Sequence, residues 1–133
     1  MRKHERLRAI NKRILNPIIL KFAGKTPGPF AVVQHIGRRS GKSYKTPIMV
    51  ERIKGGFLIA LTYGADVDWY RNVMAAGGGV LRWHNRKYAI TKPEPLDVER
   101  AMQKFPLPLR AVLRLNHTED FVQVRSRAEG TGS

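Results

Sequence analysis

The chain contains no cysteine, so disulfides, a thiolate nucleophile and sulfur-ligated metal centres are excluded. Its four histidines, His4, His35, His84 and His117, are scattered without metal-ligand spacing, and no metal is expected. No apolar run approaches the roughly 20 residues needed to span a bilayer. The basic N-terminus lacks the uninterrupted apolar core and small-residue cleavage site of a signal peptide, which makes a cytoplasmic protein the expectation. Acidic residues are also scarce. Ten Asp and Glu stand against 25 Lys and Arg, a formal charge of +15 with a pI near 11.0. With so few acids and no Ser/His/Asp set standing out, triad-type nucleophilic catalysis has no support. The cationic excess attracts anions, whether nucleic acid, acidic lipid or a multiply charged small molecule, and charge alone does not choose among them.

What is present suits one domain. The chain has 133 residues, 42% of them hydrophobic, enough for a single core. The domain is expected over residues 1–126, with a flexible tail at 127–133. "HERLRAINKRIL" sets Leu7, Ile10, Ile14 and Leu15 on one helical stripe among basic residues, and Asn16-Pro17 suits a helix restart into "PIILKFA". This amphipathic arm, residues 4–23, can pack on the protein's own core. Alternatively, residues 1–23 can contact an anionic membrane peripherally, on the inner face of the cell membrane.

Beyond the "GKTPGP" loop come short runs rich in β-branched and aromatic residues: "FAVVQHI", "YKTPIMVERI", "GFLIALTY", "GVLRWHN", "KYAIT" and, near the end, "EDFVQVRS". Hairpin-sized links predict a six-stranded antiparallel small barrel, mainly β with helices (α+β). Pro47 predicts an edge position or a bulge in the second run. Between the third and fourth strands, "DVDWYRNVMAAGGG" predicts a short helix capped by Asp66 or Asp68 and ended by Gly77 to Gly79. A loop and then a helix from near Asp97 are expected in "KPEPLDVERAMQKF", and another helix in "LPLRAVLRL".

The densest chemistry lies in "HIGRRSGKSYKTPIMV", His35 to Val50, with Arg38, Arg39, Lys42 and Lys45 around a tight turn. A P-loop would need four residues between its first Gly and the Gly-Lys pair, and only Arg38, Arg39 and Ser40 intervene. Strand-like sequence follows it rather than a helix, so a P-loop is rejected. What survives is an anion-binding turn. Gly37 and Gly41 permit close backbone approach, successive amides can form a nest, and Ser40 and Ser43 add hydroxyls. The bland alternative is an exposed basic hairpin tip. A second cluster, "LTYGADVDWYRN", offers the loop residues Thr62, Tyr63 and Gly64, flat surface from Trp69 and Tyr70, and the amide of Asn72.

Taken in order, "GRRSGKSYKTPIMV", "GFLIALTYGADVDWYRN" and "AAGGGVLRWHNRKYAITKPEPLD" resemble the deazaflavin-dependent nitroreductase family, over about Phe30 to Asp97. The resemblance implies a split β-barrel of the FMN-binding type. It implies coenzyme F420, a deazaflavin bearing a phosphodiester and a glutamate tail, and hydride transfer to an electron-poor organic acceptor such as a quinone, nitroaromatic or enone. It places Arg39, Ser40, Gly41, Lys42 and Lys45 at the phosphate and glutamates. Thr46, Pro47, Ile48 and Met49 fall on the strand bordering the ring system, and Thr62, Tyr63 and Gly64 on a loop whose amides approach the cofactor. Trp69, Tyr70 and Asn72 fall at the helix start that closes over it. The late-chain tyrosines of some members have no counterpart in "FPLPLRAVLRL", so the proton that follows the hydride comes from solvent or from a tyrosine, with Tyr63 and Tyr70 as the catalytic candidates.

Two alternatives remain from the residues. One is a basic small barrel that grips nucleic acid, through Phe30, Phe57, Trp83, Tyr88 or Phe121; with the resemblance, no nucleic-acid partner is expected. The other is a split-barrel protein that binds FMN instead. A homodimer is expected only by analogy.

Overall fold

In the computed structural model, residues 29–128 are described. The amphipathic arm at 4–23 and its membrane contact therefore lie outside the described residues. Within them the order is β1 (Phe30–Ile36), β2 (Ser43–Ile53), β3 (Gly56–Ala60), α1 (Asp68–Ala76), β4 (Gly78–Trp83), β5 (Arg86–Thr91), β6 (Glu94–Leu96), α2 (Val98–Met102), α3 (Leu107–Leu115) and β7 (Phe121–Ala128). Strand β7 thus runs into the first residues of the expected tail. No described helix is long and apolar enough to cross a membrane.

Period-two alternation explains how these strands close. Ile48 and Val50 of β2, Phe57 and Ile59 of β3, and Val122 and Val124 of β7 turn inward to one core with Ala31, Val33, Leu81 and Ile90. Their neighbours Met49, Leu58, Ala60 and Phe121 turn outward and pack under Ala101, Met102, Phe105 and Leu113 from the α2–α3 region. Strand β3 is covered on both faces, so "GFLIA" reads as an unbroken apolar run. All pairings are antiparallel, in the order β3-β2-β1-β4-β5-β7, and β7 returns to β3. The result is the expected six-stranded closed barrel.

Three local expectations change. Strand β6 takes the place of the expected loop and pairs Glu94–Leu96 with Gln123–Phe121 on β7. Three residues that include Pro95 carry no legible alternation. Pro47 causes no bulge, because β1 and β2 pair without a break from Phe30↔Met49 to Ile36↔Ser43. Val50 N–H donates to Pro29 O on the β1 side, so the amide direction at Pro47 faces the other side. There β3 pairs with β2 only from Met49 onward, so no donor is missed. Finally, neither Asp66 nor Asp68 caps α1. Val67 holds the N-cap without a side-chain bond, while Asp66 pairs with Arg71 and Asp68 with Arg38. Gly77 alone closes the helix, at φ 77°, and Gly78 and Gly79 open β4. Asp97 does cap α2, accepting from Arg100 N at 3.1 Å.

Candidate active site

The inward faces of β1 and β2 change character at one end of the barrel. Apolar Ala31 and Val33 give way to His35, and Val50 and Ile48 give way to Thr46 and Tyr44. Helix α1 lies across that end and brings Asn72 to the same point. Here a cleft of about 690 Å³ opens, lined by the β1–β2 turn, the outer end of β2, Tyr63 and the start of α1.

A polar chain runs beneath it. Asn72 is 4% exposed and accepts at Oδ1 from two donors of Arg38: the main-chain N–H at 3.1 Å and the guanidinium at 2.7 Å. Those two donors fix the amide orientation, so Asn72 Nδ2 donates to His35 Nδ1 at 3.0 Å. His35 Nε2 in turn meets Thr46 Oγ1 at 3.0 Å. Burial of His35 lowers its pKa, and Asp68 opposes the shift only weakly. The imidazole is therefore neutral at pH 7. Tyr44 stacks on it at 5.7 Å between centroids and meets Ser40 Oγ at 3.2 Å.

Both loops use several of their amides internally. In the basic turn, Gly37 N–H donates to Lys42 O, Gly41 N–H to Gly37 O, and Lys42 N–H to Ser40 Oγ. With Arg38 N–H held by Asn72, the amides of Gly37, Arg38, Gly41 and Lys42 are all engaged, and the nest expected from the glycines narrows to those of Arg39 and Ser40. Gly41 does take positive φ, 72°, as a turn of this kind needs. In the second loop, Thr62 N–H donates to Ala60 O, Gly64 N–H to Leu61 O, and Thr62 O accepts from Asn116. Side chains therefore add to what the remaining amides of Arg39 and Ser40 can offer an anion in this cleft. Arg38 is engaged with Asp68 at 3.3 Å, whereas Arg39, Lys42 and Lys45 form no ion pair among the described residues.

Of the residues singled out from sequence, Arg39, Ser40, Lys45, Thr46, Tyr63, Trp69 and Asn72 line the cleft together. Lys42 and Gly41 belong to the same turn but not to its lining. Ile48 lies in the barrel core, and Met49 points to the opposite face, under the helices. Pro47, Thr62 and Gly64 are not among the lining residues. Tyr70 packs against the core, where burial and the nearby Asp120 raise its pKa. It is not among the lining residues. Burial alone raises that of Tyr63, which keeps its proton through the neutral range. His35, Arg38, Tyr44, Val67 and Asp68 line the cleft without having been assigned to a site. His35 carried one readable signal, a polar residue continuing the inward alternation of Ala31 and Val33.

A family model described as F420H(2)-dependent quinone reductase matches residues 9–104. One solved structure, titled as a domain-swapped dimer, superposes with a TM-score of 0.52 at 19% identity, covering 94% of this chain and 98% of that one. Another superposes with a TM-score of 0.53 at 14% identity, covering 99% and 90%. At such identities the likeness is one of fold. No curated protein sequence matches the chain.

Proposed function

The chain belongs to the F420H(2)-dependent quinone reductase family, and we propose that its cleft brings reduced deazaflavin against a quinone-type acceptor. The protein is an oxidoreductase of split-barrel fold, and its cofactor is coenzyme F420. What carries the reading of the site is its two-part character. Arg39 and Lys45 bring charge without ion pairs among the described residues, with Lys42 in the same turn, and Trp69, Tyr44 and the His35–Thr46 pair bring neutral surface.

Those two kinds of lining suit the cofactor's two halves. The phosphodiester and glutamate tail is a polyanion, which Arg39, Lys42 and Lys45 would hold with charge-assisted bonds, supported by the Ser40 hydroxyl. The flat tricyclic head needs a water-poor wall, and Trp69 is 6% exposed within the core beside the cleft. When bound in reduced form, the deazaflavin supplies a hydride from C5. The chain's own task is positioning and exclusion of water. Tyr63 lines the cleft with its phenol protonated, and it would pass that proton to the acceptor as the acceptor takes the hydride. A quinone that gains one hydride and one proton leaves as the hydroquinone.

The five aromatics assigned to the nucleic-acid alternative offer little stacking surface. Phe57, Tyr88 and Phe121 are buried, and Trp83 and Phe30 pack against the cores. A homodimer is also proposed, on two grounds: the neighbour titled a domain-swapped dimer, and the apolar Leu107, Val112 and Leu115 exposed on α3. Light scattering tests it.

The deciding experiment titrates purified protein with oxidised coenzyme F420 by fluorescence, then assays turnover with quinone, nitroaromatic and enone acceptors. Saturable micromolar binding and fastest turnover of quinones are expected. No uptake of the deazaflavin would sink the reading, and turnover confined to nitroaromatics would replace the acceptor class.

A further inference from the structure

The chain Arg38–Asn72–His35–Thr46 has a direction, and its last member faces the cleft. Arg38 presents two donors to Asn72 Oδ1, so the Asn72 amide nitrogen must face His35. A nitrogen that receives a hydrogen bond carries no proton, which makes His35 Nδ1 the acceptor and Nε2 the protonated nitrogen. Nε2–H then donates to Thr46 Oγ1, 3.0 Å away. The Thr46 hydroxyl proton is thereby released from His35, and Thr46 lines the cleft.

We propose that His35 is a positioning residue that fixes the Thr46 hydroxyl as a one-way hydrogen-bond donor into the cleft. Its recipient is an acceptor atom on the ring of the bound deazaflavin. The inference rests on the functional reading above and deepens it. The ring, rather than the anionic tail, is assigned because Thr46 continues the inward column of Ile48 and Val50, on the barrel side of the cleft. Arg39 and Ser40 line the cleft from the turn, and Lys45 from the outer end of β2, nearer that turn than Ile48 and Val50. The arrangement also explains why a histidine sits here uncharged. With both ring nitrogens protonated, Nδ1–H would oppose Asn72 Nδ2–H, and relieving that by an amide flip would break both Arg38 bonds. The charged groups facing His35 are Arg38 from the turn and Asp68 from α1, with Tyr44 stacked on it from β2.

Two measurements test this. In the ligand-free protein, nitrogen NMR of the His35 ring should show the Nε2–H tautomer at neutral pH. An Nδ1–H or mixed form would overturn the proposal. Affinities for coenzyme F420 and for the tail-less deazaflavin riboside are then compared by fluorescence. Thr46→Val should weaken both about tenfold, while Thr46→Ser stays within about threefold of wild type. His35→Phe should weaken both as Thr46→Val does, and the double variant no further, because His35 acts only through that hydroxyl. Additive losses, or a Thr46→Val loss confined to the full cofactor, would overturn it. If wild type binds and Thr46→Val binds as tightly, this inference alone fails; a wild type that takes up no deazaflavin overturns the functional reading as well.

Discussion

Arg38 and Asn72, 34 positions apart in the chain, are joined twice, since one carboxamide oxygen accepts from both the backbone and the side chain of the arginine. Through this joint the basic turn is fastened to helix α1, and the same carboxamide orients His35. Asn72→Ala would leave Arg38 N–H and His35 Nδ1 without partners in a largely buried setting. A loss of about 2–3 kcal/mol in unfolding free energy is expected, read by urea titration. Cofactor affinity should fall in the same variant, because the turn that carries Arg39 and Ser40 loses its anchor. Wild-type stability in Asn72→Ala would show that the joint holds nothing.

Stability should fall on mild acidification. The folded-state pKa of His35 lies below its ordinary value, so between that value and about 6.5 the unfolded chain binds more protons than the folded one. The His35 contribution is therefore complete above about pH 6.5 and lost as pH falls through the lowered pKa. Glu51 has the opposite sign: burial raises its pKa, so its contribution is complete below 4.5 and lost as pH rises through the raised value. Urea unfolding followed from pH 7.5 to 5 should show the decline, and His35→Phe should flatten it. An unchanged slope in that variant would assign the acid sensitivity elsewhere.

Local chemistry was legible in the sequence, and joints made by tertiary contact were not. Strand β3 announced itself as an apolar run, and the basic turn by its glycines and charges. Arg39, Ser40, Lys45 and Thr46 could be grouped because they lie within a few positions of one another. His35 and Asn72 could not, since they meet across 37 positions. Asp66 and Asp68 look like helix caps because capping is a local habit; Asp68 is taken instead by Arg38, brought from 30 positions away, and Asp66 by Arg71 of the helix itself. Strand β6 exists only because β7 offers it an edge.

The cationic turn should act through charge and lose its grip in salt. Arg39 and Lys45 line the cleft while Lys42 stands outside it, which sets an order among three otherwise similar substitutions. Arg39→Ala and Lys45→Ala should each weaken cofactor binding about 5- to 20-fold at low ionic strength, and Lys42→Ala about threefold. In 1 M salt, where screening acts within about 3 Å, the differences should shrink to about twofold. The tail-less riboside should be indifferent to all three. Equal losses with both ligands would place the tail elsewhere.

Two glycines of the same turn should respond in opposite ways. A Cβ on Gly37 would lie 2.4 Å from Ser40 Oγ and 2.9 Å from the Tyr44 ring, both on the cleft wall. Gly37→Ala should therefore disturb ligand affinity, with Ser40 and Tyr44 pushed aside. Gly41 has open space around it but holds φ at 72°, so Gly41→Ala costs about 1–2 kcal/mol of backbone strain. Paired denaturation and binding curves should show affinity lost in the first and stability lost in the second. The reverse pattern would mean that Ser40 and Tyr44 do not shape the cleft.

Tyr63 differs from the other candidate proton donor in where it points. It lines the cleft, whereas Tyr70 packs against the barrel core. Burial raises the Tyr63 pKa above its ordinary value of 10.0, so the phenol stays protonated across the assay range and serves only as a donor. Tyr63→Phe removes that proton and little volume. The expected result is a fall in kcat of about 10- to 100-fold with quinone acceptors, within the usual range for one proton-transfer group, and a KM nearly unchanged. Tyr70→Phe should leave kcat within about twofold. Because Tyr63 does not titrate below pH 10, wild type and Tyr63→Phe should share the same pH profile over the neutral range. If Tyr63→Phe turns over at the wild-type rate, water supplies the proton and Tyr63 is only part of the wall.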